Sequence, residues 1–99
     1  MNKINQHKEL IKQLCEKYNV ENLYAFGSVL TDDFNDNSDI DLLVNFKPIN
    51  IDLYADNYFD FKFSLEQILK REIDLLEEKA LKNPYFIKEL HNKRQLIYG

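Results

Sequence analysis

The residues in this chain best suited to chemistry are a Gly-Ser pair and three aspartates. Gly27-Ser28 is followed after ten residues by Asp39-Ile40-Asp41, and Asp74 stands inside a later apolar run. A bend of small residues lets backbone N–H groups come close to a phosphate, and carboxylates on neighbouring strands can share divalent cations. Between Lys17 and Lys47 there is no lysine or arginine, yet the stretch holds Glu21, Asp32, Asp33, Asp36, Asp39 and Asp41. Gathering charge of one sign costs free energy that a bound cation would offset. A solvated acidic loop would explain the charge alone. It would not explain why the acids keep this spacing around strand-like runs.

Carboxylates Asp39, Asp41 and Asp74 form a hard oxygen set suited to Mg²⁺, with Mn²⁺ as a substitute, and with room for two ions. Magnesium keeps waters and takes further oxygens from a substrate, so an incomplete protein cage is expected. Zinc would draw on Cys or His, and neither His7 nor His91 has a partner at ligand spacing; both are expected to be exposed on helices. A calcium loop starting at Asp33 would place oxygens at Asp33, Asn35, Asn37, Asp39 and Asp41. It fails because Ser38 stands where a sharp turn needs Gly and Val44 where a bidentate Glu is needed.

These residues need elements to position them. Ile4, Ile11, Leu14, Cys15 and Tyr18 recur at helical spacing, which predicts one amphipathic helix over residues 2–18, stopped at Asn19. Residues 22–26 (NLYAF) read as a strand covered on both faces and ending at Gly27, with a helical turn starting the polar stretch beyond Ser28. In the following strand Ile40, Leu42, Val44 and Phe46 fall on one face and Asp39 and Asp41 on the other. Two residues along a strand span about 6.6 Å, so neighbouring ions fit between those two carboxylates. After Pro48, a long helix is expected from about Asp52 to Arg71, then a strand at 72–76 with Asp74 opposite Ile73 and Leu75. Asn83-Pro84 reads as an N-cap with Pro at the first helical position, opening a helix to about His91, and residues 94–98 suit an edge strand. The expected fold is α/β (α+β): a small mixed sheet with flanking helices. The long helix serves as a right-handed crossover that brings Asp74 beside Asp39 and Asp41.

Composition bounds the rest. Ninety-nine residues, 44% of them hydrophobic and 30% charged, suit a single domain with a modest core, and leave no room for a separate substrate-recognition domain. The aromatics of the long helix, Tyr54, Tyr58, Phe59, Phe61 and Phe63, exceed one buried stripe. Phe59 and Phe63 therefore either join the core or form an apolar patch for a partner or a second copy. A net charge of −4 without a basic stripe argues against stable binding of duplex nucleic acid, while a mononucleotide carried with magnesium remains compatible. No apolar run reaches membrane-spanning length and the start is too polar for a signal peptide. The lone cysteine, Cys15, reads as buried filler and fits a reducing cytoplasm.

The runs AFGSVLTDDFNDNSDIDLLVNF, YFDFKFSLEQILKREIDLL and NPYFIKEL with the terminal IYG resemble the minimal nucleotidyltransferase family, within the DNA polymerase β-like nucleotidyltransferase superfamily. The resemblance covers about residues 23–99. It implies a mixed sheet and transfer of a nucleoside monophosphate from a nucleoside triphosphate such as ATP. By the same resemblance, Gly27 and Ser28, with Ser38, would contact the triphosphate. Asp39 and Asp41 would bind two metal ions, and Asp74 would complete one metal site and help activate the attacking hydroxyl. Many such chains resemble the antitoxin halves of HEPN–MNT toxin–antitoxin pairs, which attach AMP to a tyrosine of the HEPN partner. Where the family often carries arginines soon after Gly-Ser, this chain has Val29, Leu30 and Thr31. Positive charge for the phosphates is therefore expected from elsewhere, such as a lysine of the long helix or a partner. A non-catalytic antitoxin acting by contact, and a small acidic structural domain, are the alternatives.

Overall fold

A computed structural model describes residues 2–31, 34–35 and 37–99. Asp32, Asp33 and Asp36 of the acidic stretch lie outside the described residues, as does the first position of the rejected calcium loop.

The amino-terminal stripe folds as two helices, α1 (Asn2–Gln6) and α2 (Lys8–Lys17), where the spacing predicted one. The break falls at His7, whose N–H donates to Ile4 O at 3.1 Å and whose carbonyl accepts from Ile11 N–H at 3.0 Å. Ile4 and Ile11 are both buried across the break, so one apolar stripe survives a kinked backbone. His7 is thus a half-buried junction residue and not part of a continuous helical face. Asn19 takes a left-handed φ of 61° after α2, a conformation asparagine tolerates better than most residues.

Four strands follow: β1 (Val20–Phe26), β2 (Ile40–Phe46), β3 (Ile73–Glu77) and β4 (Gln95–Tyr98). They lie in the order β3-β2-β1-β4, with β2 parallel to β3 and both other pairs antiparallel. The parallel pair is joined through α3 (Ile51–Leu69), as a parallel connection requires a long crossover. Asn50 caps α3 by accepting from Asp52 N–H at 2.9 Å. Lys70, at φ 55°, ends it with its N–H on Glu66 O at 2.8 Å. Helix α4 (Pro84–Lys93) starts as expected, Asn83 accepting from the N–H groups of Tyr85 and Phe86 at 2.9 and 3.2 Å, and runs two residues beyond His91.

Helices α2 and α3 cover one face of the sheet. Leu23, Ala25, Ile40, Leu42, Val44, Ile73 and Leu75 meet Ile11, Cys15, Phe61, Leu65 and Leu69 in a continuous core. Phe46 lies edge-on to Tyr54, Tyr58 and Phe61, with ring centroids 5.7, 6.5 and 5.9 Å away. Cys15 is fully buried in this core, and burial first, then Glu16, pushes its thiol up to about 12. Phe59 and Phe63 stay outside the core, 49% and 55% exposed, and stack on each other at 6.2 Å. Among the described residues no helix is long and apolar enough to cross a membrane.

Candidate active site

On the face of the sheet away from α2 and α3, three residues stand in one row across three strands. Phe26 of β1 is opposite Asp41 of β2, and Asp41 is opposite Asp74 of β3. Partners in register point to the same side of a sheet, so this row holds two carboxylates next to each other. The crossover through α3 is what brings Asp74 to Asp41, as the sequence reading requires.

Asp39 precedes β2 by one residue and lies outside the ladder. Its side chain and that of Asp74 are exposed, while Asp41 is half-buried. Burial, then Asp74, then Asp39, hold the Asp41 carboxyl above its ordinary value. Both other aspartates are therefore close enough to disfavour its charged form. Among the described residues no three His, Cys, Asp or Glu side chains close into a ready-made metal cage. The arrangement is an open one, two carboxylates in register with a third beside them.

Gly27 shapes the other wall. Its φ of +73° lies in the left-handed region, and a Cβ there would stand 2.5 Å from Asp41 Oδ2 and 3.3 Å from Asp41 Cγ. Glycine suits both the left-handed bend and the close approach of the Asp41 carboxylate, which any Cβ would have to displace. Residues Gly27–Leu30 make one 3₁₀ turn, closed by Thr31, whose N–H and Oγ1 both donate to Ser28 O at 2.9 Å. That turn is too short to carry a helix dipole, so any anion binding there rests on individual N–H groups and the Ser28 hydroxyl. The helical turn expected at the front of the polar stretch is this 3₁₀ turn, which starts at Gly27.

Ser38 is tied into the loop ahead of Asp39. Its Oγ accepts from Asn35 N–H at 3.1 Å and its N–H donates to Asn35 O at 3.0 Å. Arg71 donates to the Ser38 carbonyl and lies over the Phe34 ring at 4.7 Å from its centroid. Next to it, Ile40 N–H donates to Glu72 O at 3.0 Å. The segment carrying Asp39 is thus moored to the start of β3. Arg71 is a site residue that sequence reasoning missed, since only the crossover makes it a neighbour of Ser38.

Lys93 is the second such residue. It lines a cleft with Gly27 and bonds Glu89 Oε1 at 2.7 Å. That bond raises the Lys93 pKa and lowers that of Glu89. Lys93 on α4 thus places one positive charge in the cleft beside the glycine bend, a source that the sequence reading, which named a lysine of the long helix or a partner, did not include. His91 is exposed, as expected, and stands 3.7 Å from Glu78.

Residues 7–97 match the nucleotidyltransferase domain family. A relative from Methanocaldococcus jannaschii, named as a candidate protein adenylyltransferase, is 33% identical over 95 residues, spanning 96% of this chain and 89% of its own. A solved structure described as a candidate minimal nucleotidyltransferase superposes with a TM-score of 0.77 at 25% identity, covering 93% of this chain and 90% of that one. The fold is also shared, at a TM-score of 0.65 and 16% identity over 96% of this chain and 71% of that one, with a Shewanella oneidensis complex. That complex is described as a tri-AMPylated HEPN toxin with its MNT antitoxin.

Proposed function

The chain belongs to the nucleotidyltransferase domain family, and from that premise we propose that it transfers AMP from ATP to a hydroxyl of a protein partner. The observation that carries this reading is the contact between the two halves of the site. A left-handed bend that favours glycine closes directly on the Asp41 carboxylate, and Asp41 stands in register with Asp74. The bend proposed to hold phosphate therefore adjoins the carboxylates proposed to hold metal.

The residues fit a divalent metal. Asp41 is half-buried among carboxylates that disfavour its charge, and a cation would relieve that cost. Asp39, Asp41 and Asp74 would hold Mg²⁺, as two ions, with Mn²⁺ able to substitute. When bound, the metal would polarise the α-phosphate and lower the pKa of the acceptor hydroxyl. The chain's own residues do the rest. Gly27 and Ser28 hold the triphosphate against the bend, and Ser38, moored by Arg71, keeps Asp39 in place. Asp74, exposed at the end of the row, takes the acceptor proton. As the acceptor oxygen bonds to the α-phosphorus, the bond to the bridging oxygen breaks and pyrophosphate leaves with the electron pair. Such a reaction depends on positioning and electrostatics and needs no nucleophile from the protein.

The partner we propose is a HEPN-domain toxin, with this chain as its antitoxin in the cytoplasm. Support comes from the described Shewanella oneidensis complex and from the exposed stacked pair Phe59 and Phe63, an apolar surface for a partner or a second copy of the chain. That surface also favours a second reading, neutralisation by contact alone. One experiment separates them: the wild type and the Asp39→Asn, Asp41→Asn and Asp74→Asn variants are incubated with the partner and α-labelled ATP. Transfer predicts magnesium-dependent label on the partner that every variant loses together with neutralisation. Neutralisation that survives in unlabelled partner would overturn it in favour of contact.

A further inference from the structure

Beside the proposed phosphate bend, a cleft of about 560 Å³ opens between the Gly27 turn and α4. Phe26, Leu30 and Leu90 contribute its apolar lining, and Phe86 adds an aromatic ring that is 40% exposed. Glu89 and Lys93, bonded to each other, supply its charged groups. Phe26 belongs to the row that contains Asp41 and Asp74, so the cleft and the carboxylates share one side of the sheet. Gly27 joins them: its backbone lines the cleft, and the space where a Cβ would stand meets the Asp41 carboxylate. A smaller cleft of about 240 Å³, lined by Pro48, Ile49, Tyr54, Glu77 and Lys79, adjoins the other end of β2. It has no such link to the site.

We infer that the cleft between the Gly27 turn and α4 seats the base of the nucleoside triphosphate, with Phe86 stacking on a purine. The inference rests on the proposed reading of Gly27 as the phosphate bend. A triphosphate held there leaves its nucleoside within reach of the adjoining cleft. An exposed Phe in water is poorly satisfied, and a flat heteroaromatic ring gains from stacking on it. A bicyclic base covers more of that ring and of the apolar lining than a pyrimidine does. Glu89 and Lys93 offer an acceptor and a donor for a base edge, which adenine and cytosine both match, so the preference for a purine rests on the stacked area. Base choice would then be made by α4, an element separate from the strands that carry the aspartates.

The test compares Mg-ATP, Mg-CTP and magnesium tripolyphosphate binding to the full chain by titration calorimetry. The expected order is ATP tightest, then CTP, then tripolyphosphate. Phe86→Ala should weaken ATP binding by about tenfold while leaving tripolyphosphate unchanged. Phe86→Trp should keep or improve the ATP affinity, and its melting temperature reports that the fold is intact. If wild type binds tripolyphosphate and ATP alike, or Phe86→Ala lowers both equally, the base does not occupy this cleft while the phosphate reading stands. If wild type binds none of the three, the phosphate reading and this inference fall together. Unchanged ATP affinity with lost partner labelling in Phe86→Ala would overturn the inference by giving the cleft to the acceptor.

Discussion

Along β2, the two faces of one strand meet opposite fates. Ile40, Leu42, Val44 and Phe46 are buried against α2 and α3 in one continuous hydrophobic core. Asp41, Leu43 and Asn45 face the other way. Leu43 and Asn45 are also buried, and Asn45 donates to Asn22 and Glu78 at 2.8 and 3.2 Å. Arg94 pairs with Glu78 and lies over Tyr24 at 3.9 Å, so the charge in the middle of this face is paired, although the Asn45 Oδ1 is buried without a hydrogen-bond partner. Only at the Asp41 end does charge accumulate without compensation among the described residues. A single strand therefore holds the fold together with one side and leaves a site under electrostatic load at one end of the other.

Paired substitutions at adjacent positions break that comparison most sharply. Leu42→Ala should cost about 2–5 kcal/mol in denaturant unfolding, with labelling per folded molecule unchanged. Asp41→Asn should leave the fold intact and lower labelling by about 10²–10³-fold. Similar losses of stability in both variants would show that the two faces are not separable.

Gly27→Ala sharpens it by moving the wall of the site without touching a carboxylate. The left-handed φ of +73° should cost about 1 kcal/mol. The new methyl must also displace the Asp41 carboxylate, so labelling should fall by about tenfold or more, well beyond what the stability loss explains. Thermal melting and initial labelling rates on the same preparation check this.

The smallest effect concerns pH. With its carboxyl held above the ordinary value, Asp41 gives the metal-free fold stability that is fully present below the usual carboxylate range. This stability is lost as pH rises through the raised value. Melting of the metal-free wild type should therefore decline relative to Asp41→Asn as pH rises through and above the usual carboxylate range. Added Mg²⁺ should close the gap for the wild type alone.

What could be read from the chain in advance followed from local periodicity and local chemistry. Alternation in β2 identified its buried face, and Asn83-Pro84 announced α4. The spacing of Gly27, Asp39 and Asp41 marked the candidate site, and the length of α3 allowed the parallel pairing that brings Asp74 beside Asp41. The break at His7 escaped because Ile4 and Ile11 keep helical spacing across it, so the stripe looks continuous whether or not the backbone bends. Arg71, Phe86 and Lys93 escaped for a different reason. Each reaches the site only through tertiary contact, from the far end of the crossover or from α4, and nothing near them in sequence marks that arrival. The fate of Phe59 and Phe63 was open because their helical spacing fits a second packing face equally well.

The parallel pairing of β2 with β3 has a consequence for how the protein is made. Gly27, Asp39 and Asp41 leave the ribosome early, but Asp74 follows only after all of α3 has been synthesised. α4, with the bonded Glu89 and Lys93, comes later still. A nascent chain in which only β1 and β2 have folded lacks Asp74, so the full row of carboxylates can form only once β3 has docked beside β2.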